Sequence, residues 1–401
     1  MISVPLITMN QNSRSLGTFI ENFKDTIHFQ SYNDKILDDS VDKVVVFFEY
    51  LGDNDYVFKT FVNYFETYTK PTFLVIDDSY EGLADVEFLK ILKQAIEKYN
   101  ISDWVILSCN KRLPIMIKRV FGERKYYNNY VYFNVQLSLD RYDGIDLRNQ
   151  PEDWNGNSNL RQKKYLCLNR QERLHRLQTI DYLAKEDLLK HGFVSCPLGQ
   201  YKDVLDGTFS NETNLKYRDQ NLQNAKLSQP QIKRLKYNLP LQLDLDEQTY
   251  SKMARNLPNV DYYFSESYYS IITEGDFYQS EMRKAITEKV FKCFLYKHPF
   301  IVIGLPNSLE LVRELGFMTF SEMIDESYDE IEDDEQRLYT ALEQIKILSN
   351  KNIHEVKNLY DGMQEVLQHN RQHYLQLHKQ KQPIILLQKI KQWVLYQGEQ
   401  E

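Results

Sequence analysis

Glycine is scarce in this chain, at 14 of 401 residues, and none of it forms a Gly-rich phosphate loop of the Walker or dinucleotide type. GxSxG and HExxH are missing too. These absences argue against a kinase, a dehydrogenase, a serine hydrolase and a zinc protease. Cysteine is rarer still. The four residues Cys109, Cys167, Cys196 and Cys293 lie far apart, form no CxxC pair and show no metal-ligand spacing. They are expected to be buried thiols in a reducing compartment, without disulfides, and no metal is expected. No apolar run approaches the roughly 20 residues of a membrane span. The first ten residues carry no basic segment and too short an apolar stretch for a signal peptide. The expected location is cytoplasmic, in the host cytoplasm for a viral protein. Positive charge is not in excess either. Lys and Arg total 49 against 57 Asp and Glu, a net charge of -8, which argues against broad affinity for nucleic acid or anionic membrane. A local basic cleft stays open, because Arg161, Lys163, Lys164, Arg170, Arg173 and Arg176 cluster in sequence.

What is present suits a globular protein. The apolar fraction is 42%, and Tyr (29) and Phe (21) are abundant, which sets aside collagen-like, linker-rich and disordered classes. The length allows about two domains of roughly 150 residues each.

Short apolar runs alternate with amphipathic ones along most of the chain. Strands are expected at 43–49, 72–77, 104–108 and 130–135, with helices at 58–68 and 86–99 between them. This alternation indicates an α/β domain with a parallel sheet, assigned to residues 1–160. Residues 153–160 are rich in turn formers and read as a connection. A second series starts with a strand at 164–169, a helix over 171–190 ended by Gly192, and a strand at 193–196. Residues 197–245 read as an irregular insertion or lid. The series resumes with Ser270-Ile-Ile-Thr-Glu274, a polar loop, a helix opening on Thr287-Glu-Lys289, and the strand Phe300-Ile-Val-Ile-Gly304. Ser308 is expected to cap a short helix ended by Gly316, and 318–320 to form a last strand. This second α/β domain is assigned to 161–335. Residues 336–401 are expected to be helices returning over the core, or a partner-binding coiled coil. Two such domains would leave a cleft between them, a preferred place for a ligand.

Three constellations carry candidate chemistry. Glu274, Glu288 and Lys289 bring acids and a base to strand ends and a helix start. They suit either ordinary dipole complementarity or a nucleoside diphosphate, whose ribose hydroxyls a carboxylate accepts and whose phosphates Lys and helix amides meet. Asn169-Arg170-Gln-Glu-Arg173-Leu-His175-Arg176 puts cations in a first helical turn, against the dipole, which points to a nearby anion or to a surface charge cluster. Asp77 and Asp78 after the second strand, and Glu49 after the first, are candidates for a general base among ordinary loop acids.

Taken together, Ile272-Thr-Glu274, Ala285-Ile-Thr-Glu-Lys289, His298-Pro-Phe-Ile-Val-Ile-Gly304 and Leu168-Asn169 followed by Arg176 resemble the donor-binding half of the fucosyltransferase-like glycosyltransferases over roughly residues 163–320. The chain departs from them in carrying Lys297-His298 before Pro299, where those families have Gly. The resemblance implies the GT-B architecture, two Rossmann-like domains facing a cleft, here with a C-terminal helical extension. It also implies a metal-independent transferase that moves a sugar from a nucleotide-diphosphate donor to an acceptor hydroxyl on a glycan, protein or small molecule, with no cofactor beyond the donor. Glu288 would then bind the donor ribose, Lys289 and Arg176 the diphosphate, and Glu274 would lie near the sugar or ribose. Asn169 and Arg170 belong to the same wall. The alternatives are a glycosyltransferase acting on hydroxymethylated bases in DNA, and a non-catalytic binding protein on the same fold.

Overall fold

The computed structural model describes residues 2–8, 20, 27–32, 44–50, 52–67, 72–79, 82–122, 126, 128–137, 141–142, 145–147, 154, 159–169, 173–196, 227–243, 260–278, 283–380 and 384–396. The chain divides into two compact units. Unit 1 comprises Met1–Leu139, Glu281–Ala285 and Leu377–Glu401; unit 2 comprises Asp140–Ser280 and Ile286–Gln376. Both units are α/β with parallel sheets. Among the described residues, no helix is long and apolar enough to cross a membrane.

Unit 1 is built on six strands, β1 (Ile2–Thr8), β2 (Ile27–Tyr32), β3 (Val44–Glu49), β4 (Thr72–Asp78), β5 (Asp103–Ser108) and β6 (Tyr130–Tyr132). They lie in the order β2-β1-β3-β4-β5-β6, and every pairing is parallel. Parallel strands covered on both faces read as unbroken apolar runs, and Val-Val-Val-Phe-Phe of β3 is buried throughout. Its residues alternate between two cores. Val44, Val46 and Phe48 join Leu74, Ile76 and Ile106 against helices α1 (Asn54–Thr67), α2 (Val86–Tyr99) and α3 (Leu113–Phe121), through Phe61, Phe88, Leu92 and Ile117. Val45 and Phe47 join Phe73, Val75, Val105 and Leu107 in the other core. There they meet Leu386, Ile390 and Trp393 of helix α12 (Ile384–Tyr396). Helix α2 shows why such a segment folds as it does. Asp85 accepts the Phe88 N–H at 2.8 Å at its start, and Asn100 ends it in the left-handed conformation, at φ 51°.

Unit 2 carries a four-stranded sheet of β9 (Lys163–Leu168), β10 (Gly192–Ser195), β11 (Ser267–Thr273) and β12 (Phe300–Ile303), in the order β10-β9-β11-β12. All three pairings are parallel. A short antiparallel pair, β7 (Arg141–Tyr142) with β8 (Ile145–Asp146), precedes it. Helix α4 (Leu174–Lys185) follows β9. Helix α5 (Gln229–Asn238) docks on α4, and α6 (Val260–Ser265) leads into β11. Helices α7 (Glu288–Leu295) and α8 (Ser308–Glu314) flank β12 in sequence. Helices α9 (Asp334–Asn350) and α10 (Ile353–Gly362) pack on the sheet strands, and α11 (Gln364–Gln380) leads towards α12. The helical tail therefore serves both units.

Several local expectations change. Strands β1 and β2 were not anticipated, and the strand expected over 130–135 stops at Tyr132 before a short helical turn at Val135–Leu137. The helix expected over 171–190 ends at Lys185, and Asp187, at φ 57°, turns the chain. Gly192 is not its left-handed terminator. It is extended, at φ -123°, and begins β10. Ser308 is the first residue of α8 rather than its cap, and its hydroxyl donates to the Leu305 carbonyl at 2.6 Å. The cap comes from Asp329, whose carboxylate accepts the N–H groups of Leu309 (2.9 and 3.0 Å) and Glu310 (3.2 Å). Residues 318–320 form no strand. The Asn370 amide satisfies Met318 on both its N–H and its C=O, each at 2.8 Å, in place of a neighbouring strand. Within the expected irregular insertion stands α5, anchored by Arg234, which donates to both oxygens of Asp181 at 2.8 and 2.9 Å.

Candidate functional site

In an open parallel sheet, ligands bind beyond the carboxyl ends of the strands, where the winding reverses. In unit 2 the chain goes from β9 outward to β10, then back across to β11 and β12, so the reversal lies between β9 and β11. Asn169 follows β9 and Glu274 follows β11. The two strand ends are tied directly, because the Thr273 hydroxyl donates to Asn169 Oδ1 at 2.6 Å. Asn169 Nδ2 reaches Cys167 Sγ at 3.4 Å, and its backbone N–H donates to the Ser195 carbonyl at 3.1 Å. Asn169 thus joins the ends of β9, β10 and β11.

Glu274 is the hub. It is 3% exposed. Oε1 accepts the Thr287 N–H at 3.0 Å, and Oε2 accepts the Thr287 hydroxyl at 2.6 Å and the Gly275 N–H at 3.2 Å. Thr287 is the N-cap of α7, so the carboxylate at the end of one strand fixes the entry of the next helix, and negative charge there matches the helix dipole. Lys289 Nζ completes the group, 3.5 Å from Glu274 Oε2, 3.0 Å from Thr287 Oγ1 and 3.4 Å from Glu288 Oε1. Its side chain keeps about a quarter of its surface in solvent, as does that of Glu288. Gly304, at the end of β12, lies against this hub. A Cβ there would come within 3.3 Å of Glu274 Cβ.

The other wall comes from the start of α4. Arg173 is its N-cap, in extended conformation, and its own side chain makes no capping bond. Its guanidinium lies 3.5 Å from Asp276 and stays partly exposed. Arg176 is buried and donates through Nη2 to the carbonyls of Thr273 and Glu274, at 3.2 and 3.1 Å. Burial and the neighbouring Arg173 pull its pKa down to about 10, still charged at neutral pH. His175 is fully enclosed, and burial, then the charges of Arg176 and Arg173, hold it well below the usual imidazole range. It is therefore neutral, and its Nε2 donates to the Glu274 carbonyl at 3.0 Å. The site thus brings a partly exposed Lys, a partly exposed Arg and a helix start to one sheet edge, which suits a polyanion.

The structure brings Asn169, Arg176, Glu274, Glu288 and Lys289 together in unit 2; Arg170 lies outside the described residues. Glu49, Asp77 and Asp78 are together on unit 1, at the carboxyl ends of β3 and β4, where Glu49 and Asp77 are register partners. All three are 2% exposed. Asp77 accepts the Ser79 N–H at 2.8 Å. Asp78 accepts from the N–H groups of Leu83 (2.6 Å) and Ala84 (3.0 Å) and from the Ser108 hydroxyl (2.6 Å), so it shapes the loop after β4. Burial raises its pKa to about 7 against the opposing effect of these bonds. The folded state therefore holds this proton more tightly than the unfolded chain, whose Asp titrates near 3.9. The stability it contributes is complete below about pH 4 and is lost as pH rises to about 7. Asp78→Asn keeps the acceptor for the two N–H groups and is expected to flatten unfolding free energy over that window. Urea denaturation at pH 4, 5.5 and 7 measures the slope, at most about 1.4 kcal/mol per pH unit in the native protein.

The basic sequence cluster turns out to be divided. Arg161 is buried, donates to the Ser267 carbonyl (2.5 Å) and the Tyr360 hydroxyl (2.8 Å), and lies over the rings of Tyr268 and Tyr360. Lys164 donates to the Ser349 carbonyl at 2.6 Å. The residues that sequence reasoning missed are Thr273, Asp276 and Thr287. Thr287 carried a signal as a helix opener, but nothing in the sequence pairs it with Glu274. All four cysteines are buried, and none forms a disulfide. Among the described residues, no three His, Cys, Asp or Glu side chains are grouped as metal ligands would be. In comparisons with known proteins, no family model and no curated sequence matches the chain.

Proposed function

We propose that unit 2 binds the diphosphate and ribose of a nucleotide sugar, and that the protein is a metal-independent glycosyltransferase passing that sugar to an acceptor hydroxyl. The observation that carries this reading is the joining of Glu274 to Thr287 and Lys289 at the switch point of the sheet. Two segments that resemble the donor-binding motifs of the fucosyltransferase-like families, separated by a polar loop, meet there. As the glycosidic bond breaks, the leaving diphosphate gathers negative charge. Lys289, Arg173 and the first amides of α4 are fixed cationic or dipolar groups suited to stabilise it. Glu288, a quarter exposed beside Lys289, is positioned to accept from ribose hydroxyls. Arg176 holds the end of β11 through its two carbonyl bonds, so its share in binding is to keep that edge in place.

In this reading unit 1 supplies the acceptor side. Among its candidate acids, Asp78 has its pKa raised by burial to about 7, the range a general base needs. The alternative of a transferase acting on DNA bases drew on the basic cluster, and the internal bonds of Arg161 and Lys164 weaken that support.

The test is a thermal-shift panel of UDP, GDP, CDP and ADP, followed by a nucleotide-sugar hydrolysis screen. One diphosphate should raise the melting temperature, since ligand at 100 Kd adds about 2.7 kcal/mol. No shift with any of the four overturns the reading. Lys289→Ala should weaken that diphosphate about ten-fold by titration calorimetry while the unfolding midpoint changes little, because Lys289 stays a quarter exposed and its ion pairs, at 3.4 and 3.5 Å, are long, contributing about 1 kcal/mol or less. Equal losses of stability and binding would make Lys289 a purely structural residue.

A further inference from the structure

Arg337 belongs to α9, in the helical tail, yet its guanidinium is 2% exposed and reaches the edge of the unit 2 sheet. Nε donates to the Gly304 carbonyl at 3.1 Å, and Nη2 to the Phe277 carbonyl at 2.9 Å. Nη1 donates to the carbonyls of Ile331 and Glu332, at 2.8 and 3.1 Å, and Nη2 also meets Asp334 Oδ1 at 2.5 Å. The guanidinium also lies 4.5 Å from the centroid of the Phe277 ring.

These partners flank Glu274 on both sides. Gly304 ends β12 and packs against Glu274 Cβ, while the Glu274 N–H donates to the neighbouring Ile303 carbonyl at 2.9 Å. Phe277 closes the turn that begins at Gly275. Its ring stacks on His175, with centroids 5.3 Å apart and planes 16° from parallel, and His175 Nε2 holds the Glu274 carbonyl. A rigid fork with several donors suits the simultaneous fixing of carbonyls on separate segments, and an ammonium lacks that geometry.

We infer that Arg337 is a positioning residue for the anion site: it clamps the turn after β11 to the end of β12, and so sets the Glu274 carboxylate that orders Thr287 and Lys289. Arg337 touches no ligand itself. Its effect on nucleotide binding rests on the function proposed above, whereas its effect on Glu274 does not.

The experiment pairs Arg337→Met and Arg337→Lys with two measurements. The first is amide hydrogen exchange, free of any nucleotide, at Gly275 and Thr287, whose N–H groups Glu274 accepts, with Leu166 and Ile301 in the sheet as controls. Exchange at Gly275 and Thr287 is expected to rise ten-fold or more in both variants, with the strand amides within two-fold of the native protein. The second is titration with whichever of UDP, GDP, CDP or ADP stabilises the native protein. Affinity should fall at least ten-fold, and Lys should rescue little of it. If Arg337→Met fails to fold, Phe277→Leu removes the ring between the guanidinium and His175 and keeps the fork, and the same two amides should exchange faster. Unchanged exchange at Gly275 and Thr287 in a folded variant overturns the inference, as does acceleration shared equally by the strand amides. If the native protein binds none of the four diphosphates, the transferase reading falls and the exchange result alone decides the role of Arg337.

Discussion

Replacing Glu274 with alanine should abolish nucleoside diphosphate binding and destabilise unit 2 together. The carboxylate is buried and accepts from two backbone N–H groups and one hydroxyl, with Lys289 beside it. Alanine leaves the Thr287 and Gly275 N–H groups without that acceptor, at about 1–3 kcal/mol for each group that finds no new partner. It also frees Lys289 from the position in which it would meet a diphosphate. The expected loss is about 3 kcal/mol in urea denaturation, with no thermal shift from any of the four diphosphates. Glu274→Gln separates the two effects. The amide oxygen still accepts the Thr287 N–H, and the hydroxyl can reverse its bond to meet the other end. Stability should therefore fall by only about 1 kcal/mol. The attraction for Lys289 is lost, so binding should weaken by at least ten-fold. A Gln variant that binds as tightly as the native protein would remove Glu274 from the proposed site.

Gly192→Ala should destabilise the same unit by about 3 kcal/mol or more, with no chemical group of the site touched. Gly192 and Tyr165 are cross-strand partners in the β10–β9 pairing. A Cβ at 192 would fall 2.1–2.5 Å from carbons of the Tyr165 ring. That ring cannot easily move, since Tyr165 is completely buried and its hydroxyl donates to the Leu188 carbonyl at 2.8 Å. Overpacking in a close-packed core commonly costs about 1–3 kcal/mol, and an immovable neighbour places this case at the upper end or beyond. Tyr165→Leu supplies the control. Alone it is destabilising through the lost ring and hydrogen bond. Combined with Gly192→Ala it should cost clearly less than the two single changes added together. Additive losses would mean that the contact is not what requires glycine.

The parts of the fold legible in the sequence are those where the chain buries both faces of a strand. β3, β4, β5 and β12 are continuous apolar runs, and their positions follow from composition alone. β1 and β2 were missed for a physical reason. Ile-His-Phe-Gln-Ser-Tyr alternates as an edge strand does, and β1 contains Pro5, which argues against a strand interior. Pro5 is tolerated in the part of β1 that pairs with β2 alone, while β3 pairs only with Leu6–Thr8. Within the candidate site, Asn169, Glu274, Glu288 and Lys289 were legible because they stand at strand ends and a helix start. Arg337 was not. It comes 60 residues after Phe277, inside a helix whose sequence shows only an apolar stripe. Nothing local distinguishes an Arg that clamps two loops from one that faces solvent. The Asp329 cap of α8 was hidden in the same way, by distance along the chain.

The position of α12 has a consequence for biosynthesis. Leu386, Ile390 and Trp393 cover the face of the unit 1 sheet formed by Val45, Phe47, Phe73, Val75, Val105 and Leu107. Those strands leave the ribosome before unit 2, and the helix that shields them leaves after it. During elongation the nascent chain therefore carries this aliphatic and aromatic sheet face without the cover of Leu386, Ile390 and Trp393 while the rest is translated. Such a surface invites association with other chains or with chaperones. Unit 1 is begun before unit 2 and completed after it, and a ribosome that stops short of α12 releases a chain whose sheet face lacks the cover of that helix.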